Sequence, residues 1–169
     1  MQEIKVAKPI PKPDFMAQED WDLLMKTRHP AIIRAGAQAH VKTYLENNGE
    51  GDTFITQGGP TLLLATTGRK SGEEHISPAN FMQDGESVYV VGSIAGLDRH
   101  PHWALNLEAK PEGWLQIKAD RWDYSARKIV DKEREEVWPR LTDFFRLWGH
   151  FQKYSEREFS VFLLSPRKD

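Results

Sequence analysis

The chain contains no cysteine. Disulfide scaffolds, iron–sulfur clusters, thiolate zinc sites and cysteine nucleophiles are therefore excluded, while the compartment is left open. No apolar run approaches the length of a membrane span, and Met1 to Pro13 hold no apolar stretch of signal-peptide length, so a cytoplasmic protein is expected. Charge of one sign is also lacking: 23 Lys and Arg against 25 Asp and Glu leave a formal net charge of −2. That balance offers no electrostatic reason to invoke nucleic acid or an anionic membrane, and the expected partner is a small molecule. Internal repeats are absent, and 169 residues suit one compact core. Monomer and homodimer are both open.

What is present reads as a mixture of helices and strands. Lys5 to Pro13 holds Pro9, Pro11 and Pro13, and residues 1–13 are expected to be an extended arm before a single domain over 14–169. Asp14 to Arg28 suits a short helix with Phe15, Trp21, Leu24 and Met25 on its buried side. Pro30 suits the first turn of a second helix, in which Ile33, Ala37, Val41, Tyr44 and Leu45 recur at helical spacing until Asn47-Asn48-Gly49 stops it. Strands and turns occupy Pro60 to Ile94, a short helix Pro101 to about Lys110, and further strands Trp114 to Lys118 and Trp122 to Ile129. Asp131 is placed to cap a helix carrying Val137, Leu141, Phe144 and Trp148 along one side, with a kink expected at Pro139, and a last strand runs from Phe159 to Leu164. This order implies an α+β fold. Closure into a barrel does not follow from pattern.

The chemistry concentrates after the apolar run Leu62 to Leu64, which reads as a strand packed on both faces and leads into Gly68-Arg69-Lys70-Ser71-Gly72. The two glycines permit the positive dihedrals of a tight turn. Backbone N–H groups, two cations and a hydroxyl there can converge on a phosphate or carboxylate. The spacing is not that of a Walker loop. Taken alone, the turn reads first as a solvated hairpin whose basic residues keep it soluble.

Its context adds to this. Downstream follow Glu73 to Phe81, the turn Asp84-Gly85, the strand Ser87 to Ser93, and Ala95-Gly96-Leu97-Asp98-Arg99-His100-Pro101-His102-Trp103-Ala104-Leu105-Asn106-Leu107. In this order the segments resemble the deazaflavin-dependent nitroreductase and quinone-reductase family, which uses coenzyme F420. The resemblance runs from about Tyr44 to the C-terminus. It implies a split β-barrel with flanking helices and hydride transfer from reduced deazaflavin to a quinone, nitro compound or activated enone. The coenzyme has a phosphodiester and a glutamate-bearing tail, both anionic.

Carried over position by position, the resemblance implies phosphate contacts at Arg69, Lys70 and Ser71 and a coenzyme-lining segment His75, Ile76, Ser77, Pro78, Ala79 and Asn80. It implies a loop approaching the ring system at Val91, Gly92, Ser93 and Ile94, with Gly92 letting the backbone come close. A helix start closes the site at His102, Trp103, Ala104, Leu105 and Asn106. Trp103 and Leu105 also read as ordinary core residues, and Asn106 as the partner of a local backbone group. Two histidines flanking Pro101 are poor chelators, so no metal is expected. Phe144, Phe145, Trp148, Phe151 and Tyr154 read as core and lid packing, in a region that lines the family's acceptor pocket.

Three positions depart from the family pattern. His75 stands where Arg or Lys is usual, and Ala104 where an aromatic residue is usual. A tyrosine thought to assist substrate protonation aligns with Phe151 across a gap near Arg146 to Gly149, and phenylalanine has no proton to donate. Tyr154, Ser93 or water then take that role. Two other functions are compatible with the same pattern: an FMN-binding split-barrel reductase, and a non-catalytic binder of a fatty acid or another apolar ligand. The basic turn favours a phosphate-bearing cofactor over a lipid.

Overall fold

A computed structural model describes residues 8–51 and 59–168. Six antiparallel strands close into a barrel in the order β1-β2-β3-β6-β5-β4. They are β1 (Thr61–Thr67), β2 (Glu74–Asp84), β3 (Ser87–Val91), β4 (Glu112–Ile117), β5 (Asp120–Lys128) and β6 (Val161–Pro166). The seam between β1 and β4 pairs Leu63 with Gln116 and Leu64 with Leu115. Leu62, Leu63 and Leu64 are fully buried, the outcome anticipated for a strand without polar alternation. The α+β split barrel suggested by the family resemblance is thus the observed fold.

Strand alternation separates two cores. Leu62, Leu64, Phe81, Val88, Val90, Leu115, Tyr124 and Phe162 fill the barrel. The intervening residues Met82, Tyr89, Val91 and Val161 face outward into a second cluster. Helices α1 (Gln18–Thr27), α4 (Asp131–Phe144) and α5 (Arg146–Lys153) cover that outer face, with Trp21, Leu24, Val137, Leu141, Leu147, Trp148 and Phe151. Helix α3 (His102–Ala109) instead sends Trp103, Ala104 and Leu107 into the barrel. Tyr124 donates its hydroxyl to Ala65 O at 2.6 Å, and burial pushes that phenol far above its usual range.

Helix α2 (Pro30–Asn47) begins with proline at its first position. It ends at Asn48 and Gly49, both left-handed (φ 51° and 68°), as the sequence implied. It is loosely packed: of its expected apolar face only Tyr44 is buried, and Leu45 is exposed. The Tyr44 hydroxyl accepts from Lys118 N at 2.8 Å and lies 3.2 Å from Thr61 O, tying α2 to both sides of the barrel seam.

Several local expectations change. Phe15 precedes α1 and is exposed. Asp131 makes no capping bond and itself adopts φ 54°. Helix α4 runs through Pro139 and stops at Phe145, whose extended backbone (φ −132°, ψ 93°) separates α4 from α5. Phe144 therefore points to solvent while Trp148 is buried. Of the arm, residues 1–7 lie outside the described residues. Ile10 is buried in the outer cluster, and Pro11 O lies 2.7 Å from His150 Nε2.

Candidate active site

The turn after β1 is closed by Gly68 N donating to Glu73 O at 2.7 Å and Gly72 N donating to Gly68 O at 2.8 Å. Only Gly72 uses the left-handed region (φ 70°). Gly68 leaves space instead: a β carbon there would run into Ser71 Oγ and lie 2.8 Å from His75 Nε2, so both side chains would have to move. Ser71 Oγ accepts from Glu73 N at 3.1 Å and sits 3.4 Å from His75 Nε2, so Ser71 and His75 close over the turn.

Asn106 holds this turn to α3. Its Oδ1 accepts from Arg69 N at 3.1 Å and from Arg69 Nη1 at 3.2 Å, while its Nδ2 donates to Thr66 Oγ1 at 3.1 Å. The amide is 3 % exposed and its hydrogen bonds run to the turn and to β1, so it orients Arg69 from beneath. Lys70 is exposed and makes no hydrogen bond or ion pair among the described residues.

Electrostatics join parts of the chain that no motif links. Burial first, then the positive fields of Arg99, Arg69, Arg34 and His75, hold His102 below the usual histidine range. Arg34 comes from α2, Arg69 and His75 from the two sides of the turn, and Arg99 from the segment before α3. No carboxylate contributes to that set. Arg99 Nε is buried without a hydrogen-bond partner, a costly state for a charged donor unless a ligand completes it. A cluster with permanent charge, a free ammonium and an orphaned guanidinium N–H fits a polyanion. Sequence reasoning gave no site role to Arg34, which lies in no recognisable pattern, or to Arg99, which was read only as part of the segment before α3; the two meet only through the fold.

Other expected positions are distributed differently. Ala79 faces the barrel core, whereas Ile76, Ser77, Pro78 and Asn80 are half-buried. Val91 belongs to the outer cluster. Gly92 makes its close approach to α3: a β carbon would meet the Pro101 ring at 3.3 Å and Ala104 at 3.5 Å. Trp103 is not a free wall. It is 7 % exposed and packs edge-on to Phe162 at 6.3 Å. Ala104 is buried beside it, and Leu105 is half-buried. Phe151, expected to face the acceptor, is enclosed instead, stacked on Trp21 at 6.1 Å and pressed against Gly96. Tyr154 is exposed at the end of α5, and Ser93 is half-buried in the loop after β3.

A cavity of about 550 Å³ lies between α1, the α4–α5 junction and the start of β1, lined by residues that include Phe15, Met16, Pro60, Phe144, Phe145 and Arg146. Gly59 lines it as well. A β carbon on Gly59 would meet Phe145 at 2.8 Å and Asn80 Nδ2 at 3.0 Å. The cavity wall therefore reaches Asn80, which pairs with Thr61 at the start of β1, while His75 pairs with Thr66 near its far end.

Residues 37–166 match the model of the F420H(2)-dependent quinone reductase family. The chain belongs to that family. A protein of Mycobacterium tuberculosis strain H37Rv, provisionally named an F420H(2)-dependent quinone reductase, is 36 % identical over 108 residues, 64 % of this chain and 91 % of that protein. A second protein of the same strain, named an F420H(2)-dependent quinone reductase, is 30 % identical over 109 residues, 64 % of this chain and 68 % of its own. Among solved structures, an F420-H2 dependent reductase superposes with TM-score 0.57 at 28 % identity, covering 63 % of this chain and 94 % of that one. A domain-swapped dimer superposes with TM-score 0.59 at 25 % identity, covering 76 % and 96 %.

Proposed function

We propose that this F420H2-dependent oxidoreductase seats the anionic arm of its coenzyme among Arg69, Lys70, Ser71, His75 and His102, with Arg34 and Arg99 as further cations. The observation that carries this reading is the convergence of Arg34, Arg69, His75 and Arg99 on His102, with Arg99 Nε buried and without a hydrogen-bond partner, although Glu73 and Glu74 flank the turn. When bound, a reduced deazaflavin supplies the hydride. The chain's own work is to bind, orient and shield. Asn106 fixes the reach of Arg69. The half-buried residues Ile76, Ser77, Pro78 and Asn80 line the seat towards the aromatic cavity. We assign the acceptor, a quinone in first place, to that cavity, where Phe15, Phe144 and Phe145 offer flat faces beside Asp20, Asp143 and Arg146, and its volume is within the range of small-molecule sites.

Reduction of a quinone to a hydroquinone consumes one hydride and one proton. Phe151 holds no proton to give and is enclosed, which leaves the Ser93 and Tyr154 hydroxyls or water as sources. No helix among the described residues is long and apolar enough to cross a membrane, and a cytoplasmic location is part of the proposal. The same reading treats 14–169 as one coenzyme-binding domain after an arm at 1–13, of which Ile10 is buried against the outer cluster.

The direct test is oxidation of F420H2 by the purified protein with a small naphthoquinone, alongside thermal shifts with F420 and FMN. At a ligand concentration one hundred times the dissociation constant, stabilisation of about 2.7 kcal/mol is expected with F420. A shift with FMN alone, and no oxidation of F420H2, would refute the reading.

The basic cluster also predicts a pH dependence. An anion seated beside His102 raises a pKa that the free protein holds low, so binding takes up a proton. Affinity is expected to strengthen as pH falls through and below the ordinary histidine range, about 6.5. His102→Gln should flatten the profile in fluorescence titrations, and a wild-type profile that is already flat, or rises with pH, contradicts the placement.

A further inference from the structure

The segment joining β3 to α3 turns through three consecutive left-handed residues, Ile94 (φ 41°), Ala95 (φ 51°) and Gly96 (φ 68°). Glycine adopts such dihedrals freely. For a β-branched isoleucine they are an outlier, which persists only where the surroundings over-determine it. Two arginines supply that constraint. Arg157, between α5 and β6, donates from Nη1 to Gly92 O at 2.9 Å, from Nη2 to Ser93 O at 2.6 Å and from Nε to Leu97 O at 2.8 Å. Arg28, just after α1, donates from Nε to Ala95 O at 2.8 Å and from Nη1 to Lys8 O at 2.9 Å, with a longer contact from Nη2 to Gly96 O at 3.5 Å. Ile94 O, the remaining carbonyl, accepts from Leu97 N at 3.1 Å.

Every carbonyl from Gly92 to Leu97 is thus engaged inside the protein. The arrangement is expensive for Arg157, since burial pulls its pKa down to about 10 with only partial opposition from Asp98. Its guanidinium has no ion-pair partner among the described residues and lies 4.6 Å over Phe159. A residue needed only for solubility or general cohesion gains nothing from that position. Gly96 adds to the constraint, because a β carbon there would meet Phe151 at 3.1 Å and Ile10 at 3.4 Å. Both the arm and α5 therefore bear on the loop.

We propose that Arg157, assisted by Arg28, is a positioning residue that locks the Gly92–Leu97 loop in its left-handed form and withholds the loop's carbonyls from the ligand beside it. The functional part rests on the reading of this site as a deazaflavin site. The pyrimidine edge of a deazaflavin carries carbonyl oxygens in both redox states and would be repelled by a row of free loop carbonyls, whereas a loop whose carbonyls end on guanidinium groups presents no such edge.

The test compares wild type with Arg157→Ala, Arg157→Lys and Arg28→Ala by amide hydrogen exchange without ligand and by fluorescence titration with oxidised F420. In Arg157→Ala, exchange across 92–98 is expected to quicken about tenfold or more, with β1 and β5 still protected. The dissociation constant for F420 is expected to rise about tenfold, equivalent to 1.4 kcal/mol. Arg157→Lys returns the charge but not the three-pronged fork, and should not restore affinity. Arg28→Ala, which leaves the buried guanidinium in place, should show the same signature at smaller amplitude. Unchanged loop exchange, or quickening spread through the barrel, overturns the positioning role. Quickened loop exchange with an unchanged dissociation constant overturns the link to the ligand. Failure of the wild type to bind F420 sinks the reading of the site, and the exchange comparison then decides the clamp by itself.

Discussion

Exchanging Arg69 and Lys70 for alanine is expected to weaken F420 binding by more than tenfold while moving the melting temperature by only about a degree. Charge-assisted hydrogen bonds are worth roughly 1.5–3 kcal/mol each, and each 1.4 kcal/mol is a factor of ten. Arg69 is held ready by Asn106 through Nη1 at 3.2 Å, and Lys70 has nothing to lose within the protein. Folding is spared because the bond from Arg69 N to Asn106 Oδ1 belongs to the backbone and survives the substitution. Fluorescence titration and a thermal melt on the same samples separate the two effects. Unchanged affinity would return the turn to a solvated hairpin.

Trp103→Ala should have the opposite signature. The indole is 7 % exposed inside the barrel and packs on Phe162, so truncation leaves a cavity where α3 closes the barrel. Large-to-small changes of this kind cost about 3–5 kcal/mol, and for a chain of this size the melting temperature should fall by roughly 10 °C. Trp103→Phe should recover much of that. Were the indole a wall of the ligand site, alanine would instead raise the dissociation constant and leave the melt almost unaltered. Calorimetry against coenzyme titration distinguishes the two.

Much of the fold was legible because it rests on local rules. The Leu62–Leu64 run, the Asp84-Gly85 turn, Pro30 at a helix start and Asn48-Gly49 at its end depend on short-range sterics and burial, which neighbouring residues report. The errors share a cause. Phe15, Phe144 and Leu45 are large apolar residues assigned to buried faces by spacing alone, yet all three are exposed. Spacing gives a helix face but not what lies opposite it. Helix α4 continues through Pro139, where a kink was expected, and the chain leaves helical backbone at Phe145, which separates α4 from α5.

The candidate site divides along the same line. Arg69, Lys70 and Ser71 were identifiable from sequence because the turn that gathers them is short, whereas His75 came from the family resemblance alone. The sequence by itself therefore determined the basic turn, the family resemblance and the α+β class. Tertiary structure alone decided that β4 returns to β1 to close the barrel, that Trp103 faces inward, and that Arg34 and Arg99 bring their charge to His102. It also decided that Arg28 and Arg157, 129 positions apart in the chain, grip one loop. The physical reason is range: dihedral preference and amphipathic period act over a few residues, while closure, burial and the summed field of separated charges exist only once distant segments meet.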